Sequence, residues 1–250
     1  MSNTTPYDSA FYQRNQTVSL SSAQLVVPFV LEVVNPRSVV DVGCGDGTWL
    51  SEFYRQGIED ILGLDGEYVA PDGLLIPHEC FEARDLQRNH QVPRTFDLAL
   101  SLEVGEHLPK ESATSFVNFL CRLAPVVLFS AAIPGQAGIN HVNEQWQSYW
   151  VDKFSAEDFV PVDCIRPRFW QESAVGVWYA QNSLLYARRS LFEQQSKLQA
   201  LSREKHSFPV DVVHPRLFRR VVERSARASR ASFGTRLQEH LRRFQFGKQA

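Results

Sequence analysis

Short apolar runs alternate along the chain with segments whose apolar residues recur at helical spacing. The apolar runs predict seven strands, at residues 38–42, 61–64, 80–83, 96–102, 124–132, 159–165 and 182–188. The amphipathic segments between them predict four helices, at 22–34, 48–56, 110–123 and 144–154, with Pro28 expected near the first turn of its helix. This alternation is typical of an α/β fold, whose mostly parallel sheet is covered by helices on both faces.

The chain divides by composition into three predicted parts. An N-terminal lid and helix (1–37) precede the sheet domain (38–190), and a basic helical extension (191–250) follows. Residues 216–250 hold nine Arg and one Lys against two Glu, a net charge of +8 that leaves −10 for the rest. Apolar residues at helical spacing predict amphipathic C-terminal helices there. Such helices could pack within a homodimer or on the domain, or bind an anionic membrane surface; nucleic-acid binding is the least favoured role.

Bulk composition places the chain among soluble globular proteins. Hydrophobic residues make up 44% and charged residues 22%. No uninterrupted apolar run reaches the ~18 residues of a membrane span, and the N-terminus does not resemble a signal peptide. Cys44, Cys80, Cys121 and Cys164 form no CxxC pair, which predicts free thiols and a cytoplasmic protein.

A glycine-rich turn follows the first predicted strand. Gly43, Gly45 and Gly47 stand at alternate positions before a helical segment, where the backbone must closely approach a ligand. The third glycine of a dinucleotide fingerprint is missing, because position 48 is Thr. Asp41 and Asp46 make the turn acidic and favour a ligand with positive charge, such as an ammonium or sulfonium group.

Further acids stand where later strands end. Asp65 lies 22 residues after Gly43, where a carboxylate can accept hydrogen bonds from ribose hydroxyls. Asp85 and Glu103 end the third and fourth predicted strands. In open α/β sheets, ligands bind beyond these carboxyl ends.

Together these segments resemble the motifs of class I S-adenosylmethionine-dependent methyltransferases over residues 20–190. The resemblance implies a Rossmann-like seven-stranded sheet and S-adenosylmethionine as the cofactor. It implies that the glycine turn contacts the methionine part of the cofactor and that Asp65 binds the ribose hydroxyls. It also implies that Asp85 and Leu86 approach the adenine and that residues 101–103 line the sulfonium region. The cofactor residues so implied are Asp41, Gly43, Cys44, Gly45, Asp65, Asp85, Leu86, Ser101, Leu102 and Glu103. Residues 133–136 and 141–146 further resemble bacterial members associated with glycan or natural-product pathways.

These observations predict an enzyme that methylates a hydroxyl of a sugar or another small molecule. N-methylation of a small amine is an alternative. A second alternative is a non-catalytic methyltransferase-like module that engages a partner through its basic tail. Methylation of a nucleic-acid base is disfavoured, since no Asn/Asp-Pro-Pro-Tyr motif follows the fourth strand.

Two histidines are candidates for the chemistry. His141, in a loop after the fifth strand, is the first choice for general base, because a neutral imidazole suits proton removal near pH 7. It could instead only hydrogen-bond the helix that follows. His107 is the second choice, with a structural or cofactor-adjacent role as its alternative. Glu144 could orient His141 or bind a cationic substrate, or it could be a first-turn acid that complements the helix dipole.

Aromatic residues beside these histidines are candidates for substrate contacts. Trp146 and Trp150 could stack on a sugar or flat ring, although core packing is the alternative for each. Tyr7, Phe11 and Tyr12 could form an N-terminal lid. No metal is expected, because no third ligand has convincing spacing beside His141 and Glu144.

Overall fold

The computed structural model describes residues 9–88, 92–203 and 209–227. The chain forms two compact units, Met1–Val212 and Val213–Ala250. The first unit contains the sheet and every element labelled below. In the second unit, residues 215–227 are helical, which agrees with the first helix predicted for the basic extension. The second predicted tail helix, after Ser232, lies outside the described residues.

Seven strands form one sheet in the order β3-β2-β1-β4-β5-β7-β6. β1 to β5 are parallel, and β7 runs antiparallel between β5 and β6. This arrangement confirms the predicted seven-stranded, mostly parallel sheet. The strands are β1 Ser38–Val42, β2 Asp60–Asp65, β3 Phe81–Ala83, β4 Leu98–Leu102, β5 Val126–Ser130, β6 Phe159–Val162 and β7 Leu184–Arg188.

Helices cover both faces of this sheet. Val39 and Val40 are adjacent in β1 and fully buried, yet they belong to two different apolar clusters, one on each face. Burial on both faces explains why the strands are continuously apolar rather than alternating. The helices are α1 Ser9–Val34, α2 Thr48–Arg55, α3 Ala113–Leu123, α4 Gln147–Ala156, α5 Ile165–Phe169, α6 Val177–Asn182, α7 Arg189–Gln194 and α8 Ser196–Ser202.

Helix α1 is longer than its sequence pattern predicted. It begins at Ser9 instead of residue 22, so Pro28 lies in the helix interior and not near the first turn. Pro28 is on the exposed side of α1, as is Gln24, whose carbonyl loses its helical donor. Water can satisfy that carbonyl, which explains why the proline is tolerated. The lid predicted from Tyr7, Phe11 and Tyr12 falls outside the described side chains.

Part of α1, residues 16–34, is long and apolar enough by length and composition to cross a membrane, with a mean hydropathy of 1.6. A core helix passes the same test, and a third of this segment is buried. Ser22 Oγ accepts a hydrogen bond from Gly176 N (2.9 Å), and Ser21 Oγ donates to Ala174 O (2.7 Å). In this structure the segment is therefore a packed element of the sheet domain.

The ends of several other predicted elements differ from the structure. The sixth strand ends at Val162, and its predicted last residue, Ile165, begins α5 instead. The helix predicted from residue 144 begins at Gln147. Helices α5 and α6 were not predicted, because they are five and six residues long and too short to show a helical period. Helix α8 lies within the extension that was predicted to be helical, although no separate helix was predicted there.

Candidate active site

The glycine turn joins β1 to α2 and requires glycine for two physical reasons. Gly43, Gly45 and Gly47 all have positive φ angles, of 89°, 57° and 81°. A Cβ on Gly43 would also lie 2.3 Å from a methyl carbon of Val104, in the segment that follows β4. The turn is therefore packed directly against the end of β4.

Asp65, the last residue of β2, fixes the turn from the neighbouring strand. One carboxylate oxygen accepts a hydrogen bond from Gly45 N (2.6 Å). The other accepts bonds from Gly66 N (2.7 Å) and from the Tyr68 hydroxyl. Burial raises the pKa of Asp65, and these three hydrogen bonds oppose that rise. The predicted ribose-binding acid thus lies within hydrogen-bond distance of the glycine turn.

Two more carboxyl groups make the turn acidic. Burial, with the nearby charge of Asp65, raises the pKa of Asp41 to about 7. Asp46 accepts a hydrogen bond from Thr48 N (3.1 Å) with one oxygen and from Gln16 Nε2 (3.0 Å) with the other. Gln16 belongs to α1, so that helix closes over the turn. Burial raises the pKa of the Cys44 thiol, which is therefore neutral and packs as an apolar side chain.

These residues fit the sulfonium cofactor that the sequence motifs imply. Asp41 Oδ1 and Ser101 Oγ are buried and have no hydrogen-bond partner. Within the described parts of the chain, no Lys or Arg forms an ion pair with Asp41, Asp46 or Asp65. Acids that are not already neutralised by a basic side chain are suited to a ligand that brings its own positive charge.

The predicted adenine contacts lie on the edge of the sheet. Asp85 follows β3, has a half-exposed side chain, pairs with Arg88 (3.2 Å) and accepts a hydrogen bond from Gln87 N (3.0 Å). Leu86 is half-buried against the apolar cluster on one face. Because Ala83 pairs with Asp65 in the sheet, Asp85 and Leu86 follow at the same edge as Asp65.

Glu103 follows Ser101 and Leu102 at the end of β4 and has a positive φ of 56°. Its N–H donates to Ser130 O (2.9 Å), which ties it to the end of β5. Its carboxyl oxygens accept hydrogen bonds from Gln136 Nε2 (2.7 Å) and Asn182 Nδ2 (3.1 Å). Sequence reasoning missed the contact with Asn182, because no local signal connects residues 79 positions apart.

A second group of polar side chains lies beyond Glu103. The helical turn Gly105–His107 places Glu106 and His107 at the end of β4, and loop 137–146 brings in His141. Val142 N and Asn143 N both donate to the backbone oxygen of Glu106, at 2.9 and 3.0 Å. These bonds hold the loop against the turn, so the two predicted catalytic histidines meet, with ring centroids 4.9 Å apart.

Glu144 orients His141. His141 Nδ1 lies 2.8 Å from Glu144 Oε1, and Gly135 N and Ala137 N donate to the two Glu144 oxygens, each at 2.7 Å. Because α4 begins only at Gln147, Glu144 is not a first-turn acid of that helix, and the dipole alternative is corrected. The other imidazole nitrogen, His141 Nε2, lies 3.9 Å from Glu106 Oε1.

Burial controls the electrostatics of this second group. Burial and the neighbouring His141 lower the pKa of His107 to about 4, so its ring is neutral near pH 7. Burial raises the pKa of Glu106 well above its usual range, and the adjacent charge of Glu103 raises it further. Among the described residues, no Lys or Arg pairs with Glu103, Glu106 or Glu144.

The two predicted aromatic contacts have different positions. Trp146 precedes α4 and is 41% exposed, so it is available to a ligand. The prediction for Trp150 needs correction: it is 2% exposed and packs against Phe129, and a Cβ on Gly105 would lie 2.8 Å from its ring. Trp150 therefore supports the Gly105–His107 turn from within the core.

A cavity of about 220 Å³ lies at the other edge of the sheet, where β1 and β5 begin. Its lining includes Arg37 and Asp97, whose charged groups pair at 3.8 Å. The ligand-binding edge of an open α/β sheet is the carboxyl edge, so this cavity is not the candidate site.

Comparison with known proteins agrees with this geometry. A family described as "Methyltransferase domain" matches residues 14–174. A search of curated proteins found no match. Among solved structures, the sugar N-methyltransferase KedS8 from Streptoalloteichus sp ATCC 53650 has a TM-score of 0.54 at 15% identity, covering 76% of this chain and 98% of that one.

Two further structures share the fold. An O-methyltransferase family protein from Burkholderia thailandensis has a TM-score of 0.52 at 13% identity; the match covers 73% of this chain but only 60% of the other. Magnesium protoporphyrin IX methyltransferase from Synechocystis PCC 6803, solved with S-adenosylhomocysteine, has a TM-score of 0.50 at 16% identity over 73% and 89% of the two chains. The family match and the site together establish that this chain belongs to the class I methyltransferases, which use S-adenosylmethionine as methyl donor.

Proposed function

We propose that this methyltransferase transfers the methyl group to a hydroxyl group of a sugar or another small molecule, with His141 assisting the loss of the hydroxyl proton. The observation that carries this proposal is the meeting of His107, His141 and Glu106 directly beyond the cofactor turn. The cytoplasmic location and the roles of the basic tail in dimer packing or membrane contact stay predictions.

The cofactor turn and the histidine pair are joined by one short segment. Val104 lies against Gly43 of the turn. Two and three residues further along, Glu106 and His107 belong to the second group of side chains, and the carboxyl group of Glu103 interacts electrostatically with His141. A methyl donor held by the turn would therefore have the histidine pair close to its reactive end. Methyl transfer is an in-line displacement, so such placement of donor and acceptor contributes much of the rate.

The chemistry of the second group favours a hydroxyl acceptor over an amine. A neutral amine attacks with its own lone pair, whereas a hydroxyl must lose a proton as the new bond forms. Glu144 fixes Nδ1 of His141 and leaves Nε2 facing the group, which is the arrangement that proton removal requires. An amine that binds in its neutral form needs no such base.

The loop that holds His141 also offers an acceptor surface. Ile139, Val142 and Trp146 are its large apolar side chains, and all three are exposed, at 44%, 65% and 41%. An exposed indole beside a cluster of polar groups is suited to stack on the apolar face of a sugar ring. This surface supports a small, partly apolar acceptor.

Labelled S-adenosylmethionine and paired acceptors test the proposal. Each pair consists of a hydroxylated sugar and the matching amino sugar, and mass spectrometry identifies the methylated atom. We expect O-methyl products, and we expect His141→Ala to lower kcat about 100-fold or more while S-adenosylhomocysteine affinity stays unchanged. His78→Ala is the matched control, because His78 is an exposed histidine in the turn before β3.

Three outcomes would contradict the proposal. Exclusively N-methylated products would favour the amine alternative. Full turnover by His141→Ala would remove that residue from the reaction. Cofactor binding without transfer to any acceptor would favour the non-catalytic module.

A further inference from the structure

We propose that Glu106, His107 and His141 form a binding site for a divalent transition-metal cation, which holds the acceptor hydroxyl beside the methyl donor. One ligand atom from each of these side chains lies within 4.8 Å of the other two. No metal was expected from the sequence, because no third ligand has convincing spacing beside His141 and Glu144. The fold supplies the missing donors from the Gly105–His107 turn.

The spread of the donor atoms is close to that of a bound site. Nitrogen and oxygen ligands lie about 2.0–2.2 Å from a first-row cation, so two ligands of one ion are at most about 4.4 Å apart. His141 Nε2 and Glu106 Oε1 already satisfy this limit at 3.9 Å. Side-chain rotations that move the third donor by a few tenths of an ångström would complete the set.

Glu106 provides independent support for a bound cation. Its side chain is 1% exposed and bonds to the backbone of Ala132 and to Glu103, while its Oε2 atom is buried without a hydrogen-bond partner of its own. An unsatisfied buried carboxyl oxygen is costly, and a protein keeps such a group where a ligand satisfies it. The buried atom belongs to the same side chain that approaches His141.

Both histidines have one nitrogen engaged by the protein. Glu144 holds Nδ1 of His141 at 2.8 Å, and His107 bonds to the backbone of Asn140. An imidazole has two nitrogens, so His141, held through Nδ1, presents Nε2 towards Glu106. Metal-ligating histidines commonly have this carboxylate or backbone bond on the second nitrogen, which fixes the ring and strengthens the ligand.

The carboxyl groups around the two imidazoles also suit a cation. Glu103, Glu106 and Glu144 surround the two imidazoles, and among the described residues no Lys or Arg pairs with them. A divalent ion would offset these acids. Two imidazoles and one carboxylate on one side of a cation suit Mn²⁺, Fe²⁺, Co²⁺ or Zn²⁺ and leave coordination positions open for the acceptor.

The role in the reaction rests on the proposed function. A hydroxyl oxygen bound to the cation has a lower pKa, so its proton is lost to water. The oxygen then forms a bond to the methyl carbon as the carbon–sulfur bond breaks, and the bonding electron pair stays on the sulfur of S-adenosylhomocysteine. The cation is neither oxidised nor reduced. His141 thus assists proton loss by holding the cation.

Mn²⁺ binding to the full-length protein tests the site without any need for an acceptor. The protein is stripped with a chelator, and free Mn²⁺ is measured by electron paramagnetic resonance during titration. We expect one Mn²⁺ per chain and a loss of affinity of more than 100-fold in Glu106→Gln and in His141→Gln. Glu144→Gln should lower the affinity about 10- to 100-fold, as expected for a residue that orients a ligand. His78→Gln, the exposed control, should bind like the wild type.

Calorimetry with S-adenosylhomocysteine shows whether each variant is folded, since the cofactor turn does not use these side chains. If Glu106→Gln fails to fold, His141→Gln decides, because His141 lies in a loop and is 12% exposed. No binding of Mn²⁺ at millimolar concentration would overturn the proposal. Unchanged binding in a folded Glu106→Gln or His141→Gln would also overturn it.

Turnover separates this inference from the proposed function. A chelator should lower O-methylation about 100-fold, and added Mn²⁺ should restore it. O-methylation that is unaffected by the chelator would overturn the metal role and leave the proposed function intact. Stoichiometric Mn²⁺ binding without any O-methyl product would support the metal site and contradict the proposed O-methylation.

Discussion

The two halves of the site are built in different ways. The cofactor half consists of the turn at Gly43–Gly47 and Asp65, which lie on adjacent strands and interact largely through backbone groups. In the acceptor half, backbone bonds hold loop 137–146 on the Gly105–His107 turn, about 35 residues earlier in the chain, and the groups brought together there are the side chains of Glu106, His107 and His141. The first half needs particular backbone conformations, whereas the second needs particular side-chain functional groups.

This difference indicates which properties each half controls. We expect the backbone amides and glycines to recognise the cofactor, which is the part of the ligand that every enzyme of this class shares. Side chains on a loop can be exchanged without disturbing the sheet, so we expect them to determine the acceptor. Substitutions in the two halves should therefore separate cofactor affinity from turnover.

Asp65→Ala should produce the largest effect and should affect the cofactor half alone. The variant loses the expected hydrogen bonds to the ribose and the observed bond to Gly45 N, each worth about 1.5–3 kcal/mol for a charged acceptor. Calorimetry should show a loss of S-adenosylhomocysteine affinity of about 1000-fold. Asp60→Ala, at the opposite end of β2, is the control. If Asp65→Ala kept its affinity, the assignment of the cofactor half would be wrong.

Asp41→Asn should change how stability depends on pH. Because the pKa of Asp41 is raised to about 7 in the folded state from 3.8, the folded protein favours the protonated form. Its stabilising contribution is complete below about pH 4 and is lost as the pH rises through 7. Asn resembles the protonated acid and does not ionise. The free energy of unfolding, measured with denaturant, should therefore rise in the variant relative to the wild type by on the order of 3 kcal/mol between pH 4 and 8.

A constant stability difference between the two proteins over that range would show that Asp41 is not titrating. Because Asp65 contributes to the raised pKa, the same profile measured in an Asp65→Asn background should show a smaller gain.

Gly43→Ala should destabilise the junction between the two halves. A Cβ there would clash with Val104 at 2.3 Å, in addition to the strain of a positive φ. The expected cost is about 2–3 kcal/mol. Gly57→Ala separates the steric clash from the backbone strain, because Gly57 has a φ of +96° but no atom lies within 4 Å of a Cβ placed there. This substitution should cost about 1 kcal/mol of stability. Equal losses in chemical denaturation would show that contact with Val104 is unimportant.

Trp146→Ala should produce the smallest effect, restricted to the acceptor half. Loss of an exposed stacking surface is worth about 0.6 kcal/mol, which corresponds to a threefold increase in KM for the acceptor. Cofactor affinity should not change. Tyr54→Ala, which removes another exposed aromatic side chain from α2, is the control. A change in cofactor affinity in Trp146→Ala would show that the two halves are not separable.

The cofactor half was predictable because its determinants are local. Three closely spaced glycines after a buried strand constrain the backbone by themselves, and Asp65 ends the next strand in sequence. The sheet was predictable for a related reason, since burial on both faces makes its strands apolar throughout. The start of α1 was not predictable, because residues 9–21 are largely polar and show no clear apolar face.

The acceptor half was predictable only in part. His107 and His141 could be named from the sequence, but their meeting depends on the bonds from Val142 N and Asn143 N to Glu106. The direction of the Glu106 side chain depends on the Gly105–His107 turn, which has no periodic signal. Trp150 was misjudged because neighbouring aromatic residues on a helix do not reveal which of them faces the core.

The packing of α1 has a consequence for anchoring. Residues 16–34 have the composition of a bilayer segment, yet Val26, Val27 and Val30 cover the sheet and Gln16 reaches the cofactor turn. The same stretch cannot lie in lipid and also cover the sheet. Insertion of this stretch into a bilayer would remove three valines from the apolar cluster and Gln16 from the turn, so an inserted form would lack the packing seen here.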